Sequence, residues 1–254
     1  FRLSTDHVQC AVARLHADGI RTVVLQSGDD LELTCAWIGG LVQTIKCAWP
    51  DMHVTLSLGE RHDEEYRAWR AAGADRYLIK HETADEELYT RLHPGQNFAR
   101  RMQILNVLRS LGYEVGTGSM VGLPGQTIAA LARDILFLQE WQPEMAGIGP
   151  FLPHAATPLG AAPAGALALT LRMLALARIV APRMRMPATT ALGSLAPDDG
   201  LLRGLRAGCN VIMCDYTPDV ERALYSIYEK KKLISLARAR AAIAAAGRCL
   251  DLAG

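Results

Sequence analysis

Seven short apolar runs, rich in β-branched residues, recur along the chain and are separated by amphipathic helical stretches. The runs are TVVLQSG from Thr22, HVTLSLG from His53, DRYLIKHE from Asp75, EVGTGSMVG from Glu114, MAGIGPF from Met145, MPATTA from Met186 and NVIMC from Asn210. Nearly continuous apolar strands that alternate with helices define a parallel sheet covered by helices. The repeat of about 30 residues is that of a (β/α) barrel, with a doubly wound sheet as the alternative.

The helical stretches carry their own punctuation. In TIAALARDILFLQEW, the residues Ile128, Leu131, Ile135 and Leu138 fall on one face, and Thr127 stands as the N-cap. AAGAD, SLGYE and RAGCN place a glycine at a helix end just before a strand. The chain opens on STDHVQCAVARLHADG, a helix pattern capped by Ser4 or Thr5. In a barrel this helix would follow the first strand. The first strand of a closed eight-stranded barrel, and the loop after it, would then lie upstream of Phe1. The expected unit is one incomplete barrel domain over residues 1–254.

Composition narrows the function classes. Half of the 254 residues are hydrophobic, enough for a sizeable core. The net charge is +1 with both signs interspersed, so nucleic acid is not an expected partner. The longest apolar run, GALALTLRMLALARIVAP, contains Arg172 and Arg178 and reads as a packed amphipathic helix, with no membrane span. Six cysteines without framework spacing fit a reducing, cytoplasmic setting. Cys209 and Cys214 are five apart, and they read as ordinary thiols.

In such barrels the active site lies at the C-terminal ends of the strands. Those ends carry Gln26, Ser27, Asp29 and Asp30; Thr55, Ser57 and Glu60; Lys80, His81, Glu82 and Thr83; Thr117 and Ser119; His154; Thr189 and Thr190; and Met213 and Asp215. Lys80 and Glu82 could grip the carboxylate and ammonium of an amino acid, or pair with each other. Arg101 lies on the following helix within reach of the same mouth. In GSMVGLPGQT, from Gly118 to Thr127, three glycines would let backbone pass close to a bulky ligand, and Pro124 fixes a turn.

The spacing Gly-x-Met-x-Gly-x-x-Gly in that stretch resembles the adenosine-contacting segment of radical S-adenosylmethionine (SAM) enzymes. Longer strings, among them GADRYLIKHETA, LGYEVGTGSMVGLPGQT, GIGPFLPHAATPL and NVIMCDYTP, resemble the HydE family of FeFe-hydrogenase maturases. Biotin synthase and methylornithine synthase are more distant relatives. The resemblance implies a (β/α)8 barrel that holds SAM and a 4Fe-4S cluster at its top, with an internal cavity below. It places Gln26, Ser27, Thr55, Ser57, Glu82, Arg101, Met120, Gly122 and Met213 around SAM. It places Lys80, His81, Thr189, Thr190, Tyr225 and Tyr228 around the substrate. The implied activity is 5′-deoxyadenosyl radical chemistry on a small-molecule or iron-complex substrate, beside other hydrogenase maturases.

Three departures stand out. Lys80 occupies a position where the family pattern has arginine, which removes a bidentate fork. CDYTP differs from the usual Pro-Asn-Trp form at Cys214, Asp215 and Tyr216. The C-x3-C-x2-C motif that holds the cluster is absent from the sequence. In the family it follows the first strand, the element placed upstream of Phe1, so this chain alone is expected to be inactive. The alternatives are a radical SAM enzyme with a small organic substrate, a non-catalytic SAM-binding barrel and a Schiff-base aldolase using Lys80.

Overall fold

The protein is described here by a computed structural model of residues 2–224 and 232–251. Helix α1 (Thr5–Ala17) comes first, and Ser4 caps it by accepting the His7 N–H at 3.2 Å. The strands are β1 (Thr22–Gln26), β2 (His53–Ser57), β3 (Arg76–Leu78), β4 (Glu114–Thr117), β5 (Met120–Val121), β6 (Met145–Ala146) and β7 (Gly149–Pro150). One parallel sheet runs in the order β1-β2-β3-β4-β6, and β5 pairs with β7 in a second. The helices that cover the sheet are α2 (Cys35–Ala48), α3 (Asp63–Ala71), α4 (Glu86–Leu92), α5 (Phe98–Ser110), α6 (Ile128–Trp141), α7 (Leu167–Val180), α8 (Thr190–Leu195) and α9 (Gly200–Arg206). Two more, α10 (Asp219–Ala223) and α11 (Leu236–Ala245), complete the described chain.

The first five expected strands form ladders, and the last two shrink to single bridges, Met145 with Arg185 and Pro187 with Val211. Pro187 has no N–H to give to a ladder. Thr189 already caps α8, and cap and helix together occupy half of the expected strand MPATTA. Asn210 Oδ1 accepts the Met186 N–H at 2.7 Å and joins the two segments through a side chain. The wall is therefore parallel and curved through seven positions, and among the described residues β1 and the Val211 segment do not pair. A cavity of about 900 Å³ lies along this opening, between Thr22–Ser27 on one flank and Asn210–Thr217 on the other.

Two apolar clusters hold the wall. Around β1–β4, Ile45, Leu56, Trp69, Tyr77, Ile104 and Leu108 are fully buried. Trp69 and Tyr77 stack at an interplanar angle of 4°. Around α6–α9, Leu138, Leu174, Met186 and Leu192 form the second cluster. Cutting a core residue such as Trp69 to alanine would cost roughly 3–5 kcal/mol. On α6, Leu131 and Leu138 are buried as expected, whereas Ile128 is 73% exposed. The buried face runs through Leu131, Asp134 and Leu138 at i, i+3 and i+7, so its polar member is a carboxylate.

Candidate active site

Charged side chains gather where β1–β3 end. Arg101, on α5, is only 7% exposed. Its Nε donates to Glu60 Oε1 at 2.6 Å and its guanidinium donates to the Lys80 carbonyl at 2.7 Å, with the Tyr89 ring 5.8 Å away. Burial opposes the charge on Arg101, but the bond to Glu60 together with the charges of Tyr89, Glu60 and Glu82 outweighs it and holds the guanidinium more firmly protonated than usual. The Glu60 N–H donates to Asp29 Oδ1 at 3.1 Å.

Lys80 Nζ and Glu82 Oε2 form an ion pair at 3.3 Å. Glu82 has a left-handed backbone, φ 65°, a region that non-glycine residues seldom enter. Its N–H donates to the Gly118 carbonyl and its carbonyl accepts the Met120 N–H, both at 3.0 Å. Glu82 and Ser119 are bridged across adjacent strand ends. Glu82 Oε2 and Ser119 Oγ are both buried, and neither has a hydrogen-bond partner among the described residues. Buried polar atoms of this kind are the exception in folded proteins, and a pair of them beside a buried arginine fits a ligand with ammonium and hydroxyl groups.

The glycine-rich loop is organised by protein contacts. A Cβ on Gly118 would stand 2.1 Å from the Gly147 carbonyl oxygen, and one on Gly122, at φ 89°, would stand 2.4 Å from Gly165 Cα. These glycines admit other backbone. Gln126 Oε1 accepts the N–H groups of Gly122 at 2.7 Å and Leu123 at 3.2 Å, and its Nε2 donates to the Met120 carbonyl at 2.9 Å. Those two N–H groups are thus not turned toward an anion.

The expected site residues divide into groups. Gln26, Ser27, Thr55, Thr190 and Met213 line the cavity along the opening. Lys80, Glu82 and Arg101 stand at the mouth as an interacting set. Ser57 pairs with Gln26, and its carbonyl accepts the Ser27 N–H at 3.0 Å. Met120 lies in β5, held by Gln126. Thr189 is a helix cap, and its Oγ1 accepts the Leu192 N–H at 3.2 Å. His154 Nδ1 accepts the Ala156 N–H at 3.1 Å within its own turn. Tyr225 and Tyr228 lie outside the described residues.

His81, expected at the substrate, packs against α6. It is fully buried, with its ring 4.6 Å from Phe137 of α6. Its Nδ1 lies 2.9 Å from Thr117 Oγ1, and its Nε2 lies 3.9 Å from Asp134 Oδ1. Burial, with Lys80 and Arg101 nearby, pushes its pKa down to about 3, so the ring is neutral. Burial pushes Asp134 up to about 7 against the pull of the Ala84 N–H and the Thr83 hydroxyl. Asp134 and Gln126 were not singled out as site residues. The signal for Asp134 was a carboxylate on an otherwise apolar helical stripe; that for Gln126 was its place at the end of the glycine-rich stretch.

The cysteines do not assemble a cluster site. Cys10, Cys47 and Cys249 are exposed, and burial pushes the Cys209 thiol up to about 12. Among the described residues, no three His, Cys, Asp or Glu side chains are grouped to hold a metal ion. These thiols do not fit a 4Fe-4S cluster. Among the described residues, no helix is long and apolar enough to cross a membrane.

A parallel α/β wall with a charged mouth at its C-terminal strand ends defines the class, and the match to known proteins agrees with it. The chain belongs to the radical SAM superfamily, which it matches over residues 2–138. It is 49% identical over 213 residues to the FeFe hydrogenase maturase subunit HydE of Thermotoga maritima, covering 84% of this chain and 60% of that protein. It is 26% identical over 215 residues to 3-methylornithine synthase of Methanosarcina acetivorans, again covering 84% and 60%. The chain thus spans about 60% of the length of these curated relatives. The crystal structure of methylornithine synthase (PylB) superposes with a TM-score of 0.86 at 23% identity, covering all of this chain and 75% of that one, a likeness of fold.

Proposed function

We propose that this chain forms the SAM-facing barrel domain of a HydE-type radical SAM enzyme. The proposed enzyme acts in assembly of the FeFe-hydrogenase di-iron centre, on a small-molecule or iron-complex substrate, in the cytoplasm and alongside other hydrogenase maturases. The observation that carries this reading is the 49% identity to HydE over 213 residues. The six free thiols support the reducing compartment.

In this reading Glu82 faces the SAM ammonium and Arg101 its carboxylate or ribose, with Ser119 as a neighbouring hydroxyl. Gln26, Ser27, Thr55, Ser57, Met120, Gly122 and Met213 surround the rest of SAM. Lys80, Thr189, Thr190, Tyr225 and Tyr228 serve the substrate side. When bound, SAM supplies the adenosyl carbon on which the superfamily's radical chemistry depends. Arg101 comes preorganised, because Glu60 and the Lys80 carbonyl fix its fork before ligand arrives.

Two experiments test the reading. Joined to a segment that carries the C-x3-C-x2-C motif, reconstituted anaerobically with iron and sulfide and given dithionite and SAM, the protein is expected to release 5′-deoxyadenosine, whereas the 254-residue chain alone is not; no release from the joined form would leave a non-catalytic SAM-binding barrel. In cells that lack their own HydE, the protein is expected to restore FeFe-hydrogenase activity. Release of 5′-deoxyadenosine without restoration would favour the second reading, a small organic substrate, which the 26% identity to 3-methylornithine synthase supports.

A further inference from the structure

Behind the mouth, on the helix side of the wall, Asp134 is 0% exposed. Its Oδ1 accepts the Ala84 N–H at 2.5 Å, and the neighbouring Thr83 side chain helps to hold the carboxylate ionised. Its Oδ2 has no hydrogen-bond partner among the described residues. An apolar side chain here would continue the Leu131–Leu138 face without the cost of desolvating a carboxylate. Asp134 therefore does little for the packing of α6. It holds a turn.

That turn begins one residue after Glu82. The Thr83 N–H donates to the His81 carbonyl at 2.8 Å, and the Asp85 N–H donates to Thr83 Oγ1 at 3.2 Å. Asp85 then caps α4. Glu82 is fixed from before by the strand-end bonds to Gly118 and Met120. From after, the fixed point is the Ala84 N–H on Asp134. The left-handed backbone of Glu82 lies between these two anchors, and it aims a carboxylate whose buried Oε2 is ion-paired with Lys80 but has no hydrogen bond among the described residues. Strained backbone persists only where its surroundings over-determine it.

Thr117, His81 and Asp134 stand in the order of a hydrolytic triad, but the geometry excludes that role. Thr117 is fully buried, and its Oγ1 accepts the His81 N–H at 3.3 Å while bonded to the ring. No substrate reaches it.

We propose that Asp134 is a positioning residue for Glu82: it pins the Thr83–Ala84 turn from α6, holds Glu82 in its left-handed conformation, and so sets where the Glu82 carboxylate meets the ammonium group of SAM. This rests on the assignment of Glu82 to SAM made above.

The test is a double-mutant cycle at pH 7.5 in the same motif-bearing, cluster-reconstituted form. S-adenosylhomocysteine is titrated by calorimetry, since it carries the same aminoacyl end and has no sulfonium to cleave. Glu82→Ala is expected to weaken binding by about 10- to 100-fold and Asp134→Ala by about 10-fold. Added to Glu82→Ala, Asp134→Ala is expected to change affinity by less than about 2-fold, because the two act on one contact. Asp134→Asn keeps the acceptor for Ala84 and is expected to stay within about 3-fold of wild type. Full affinity in Asp134→Ala, or an equal loss with and without Glu82, overturns the proposal. Full affinity in Glu82→Ala overturns the SAM assignment itself. If Asp134→Ala does not fold, Thr83→Val removes one arm of the same clamp and enters the cycle in its place. Its loss must likewise vanish in the Glu82→Ala background, or the proposal falls.

Discussion

Arg101 is bound to Glu60, Nε to Oε1 at 2.6 Å, and not to Glu82. The two carboxylates of the mouth are thereby differentiated. Glu60 holds the arginine, while Glu82 is paired with Lys80 and keeps a buried oxygen without a hydrogen bond.

Arg101→Lys tests this division. A lysine keeps the charge but cannot bond Glu60 and the Lys80 carbonyl in a fixed fork. Charge-assisted hydrogen bonds are worth about 1.5–3 kcal/mol, so the affinity for SAM is expected to fall about 10- to 100-fold in both Arg101→Lys and Arg101→Ala. Arg172→Ala, exposed on α7, serves as the control. Calorimetry that finds Arg101→Lys equal to wild type would leave charge alone as the requirement.

Glycine substitutions test the reading of the loop. Gly118→Ala and Gly122→Ala push a methyl into backbone atoms at 2.1 and 2.4 Å and are expected to lose more than about 3 kcal/mol of stability, or to abolish folding. Gly147→Ala meets nothing within 4 Å and is expected to stay within about 1 kcal/mol. Urea unfolding of the three decides it, and a tolerant Gly122→Ala would restore the ligand explanation for that glycine.

Gln126→Ala removes an acceptor shared by two N–H groups and a donor to a third backbone group. The expected loss is about 1–3 kcal/mol, with slower-exchanging amides at Gly122 and Leu123 becoming fast. Hydrogen exchange that leaves both amides protected would show that the loop holds itself without Gln126.

The buried pair predicts an unusual pH response. His81 has a folded pKa of about 3 against 6.5 unfolded, so on its own it makes stability fall as pH drops through 6.5 toward 3. Asp134 has a folded pKa of about 7 against 3.8 unfolded, so on its own it makes stability fall as pH rises from 3.8 through 7. Between about pH 4 and 6.5 the folded protein keeps one proton on Asp134 where the unfolded chain keeps one on His81, and the two slopes cancel. Asp134→Asn removes one side of that balance. Relative to wild type, it is expected to lose up to about 1.4 kcal/mol per pH unit as pH falls from 6.5 to 4. Parallel stability curves for the two proteins across this range would show that His81 and Asp134 do not titrate this way.

Much of the fold was legible along the chain. Local rules placed the first cap at Ser4 or Thr5, the cap Thr127 and the strands from Thr22, His53, Asp75, Glu114 and Met145, because a cap needs one side chain near free N–H groups and a buried strand needs a short apolar run. The last two strands were over-read. Their apolar pattern is that of a strand, but Pro187, the early start of α8 and the Asn210 side chain replace the ladder with single contacts.

The residue types of the mouth, Lys80, Glu82 and Arg101, were determined by the sequence, since charged groups that interrupt apolar strand ends have few other uses. Their pairing was not. Glu60 and Arg101 are 41 residues apart, and only the packing of α5 against the end of β2 brings them to 2.6 Å. The same holds for Asp134 and Ala84, 50 residues apart, and for His81, whose side of the wall follows from the turn at Glu82 and not from any local pattern. Sequence periodicity states which face of an element is apolar. Which polar atoms meet across the wall depends on how the elements pack in three dimensions, and that is where the site is made.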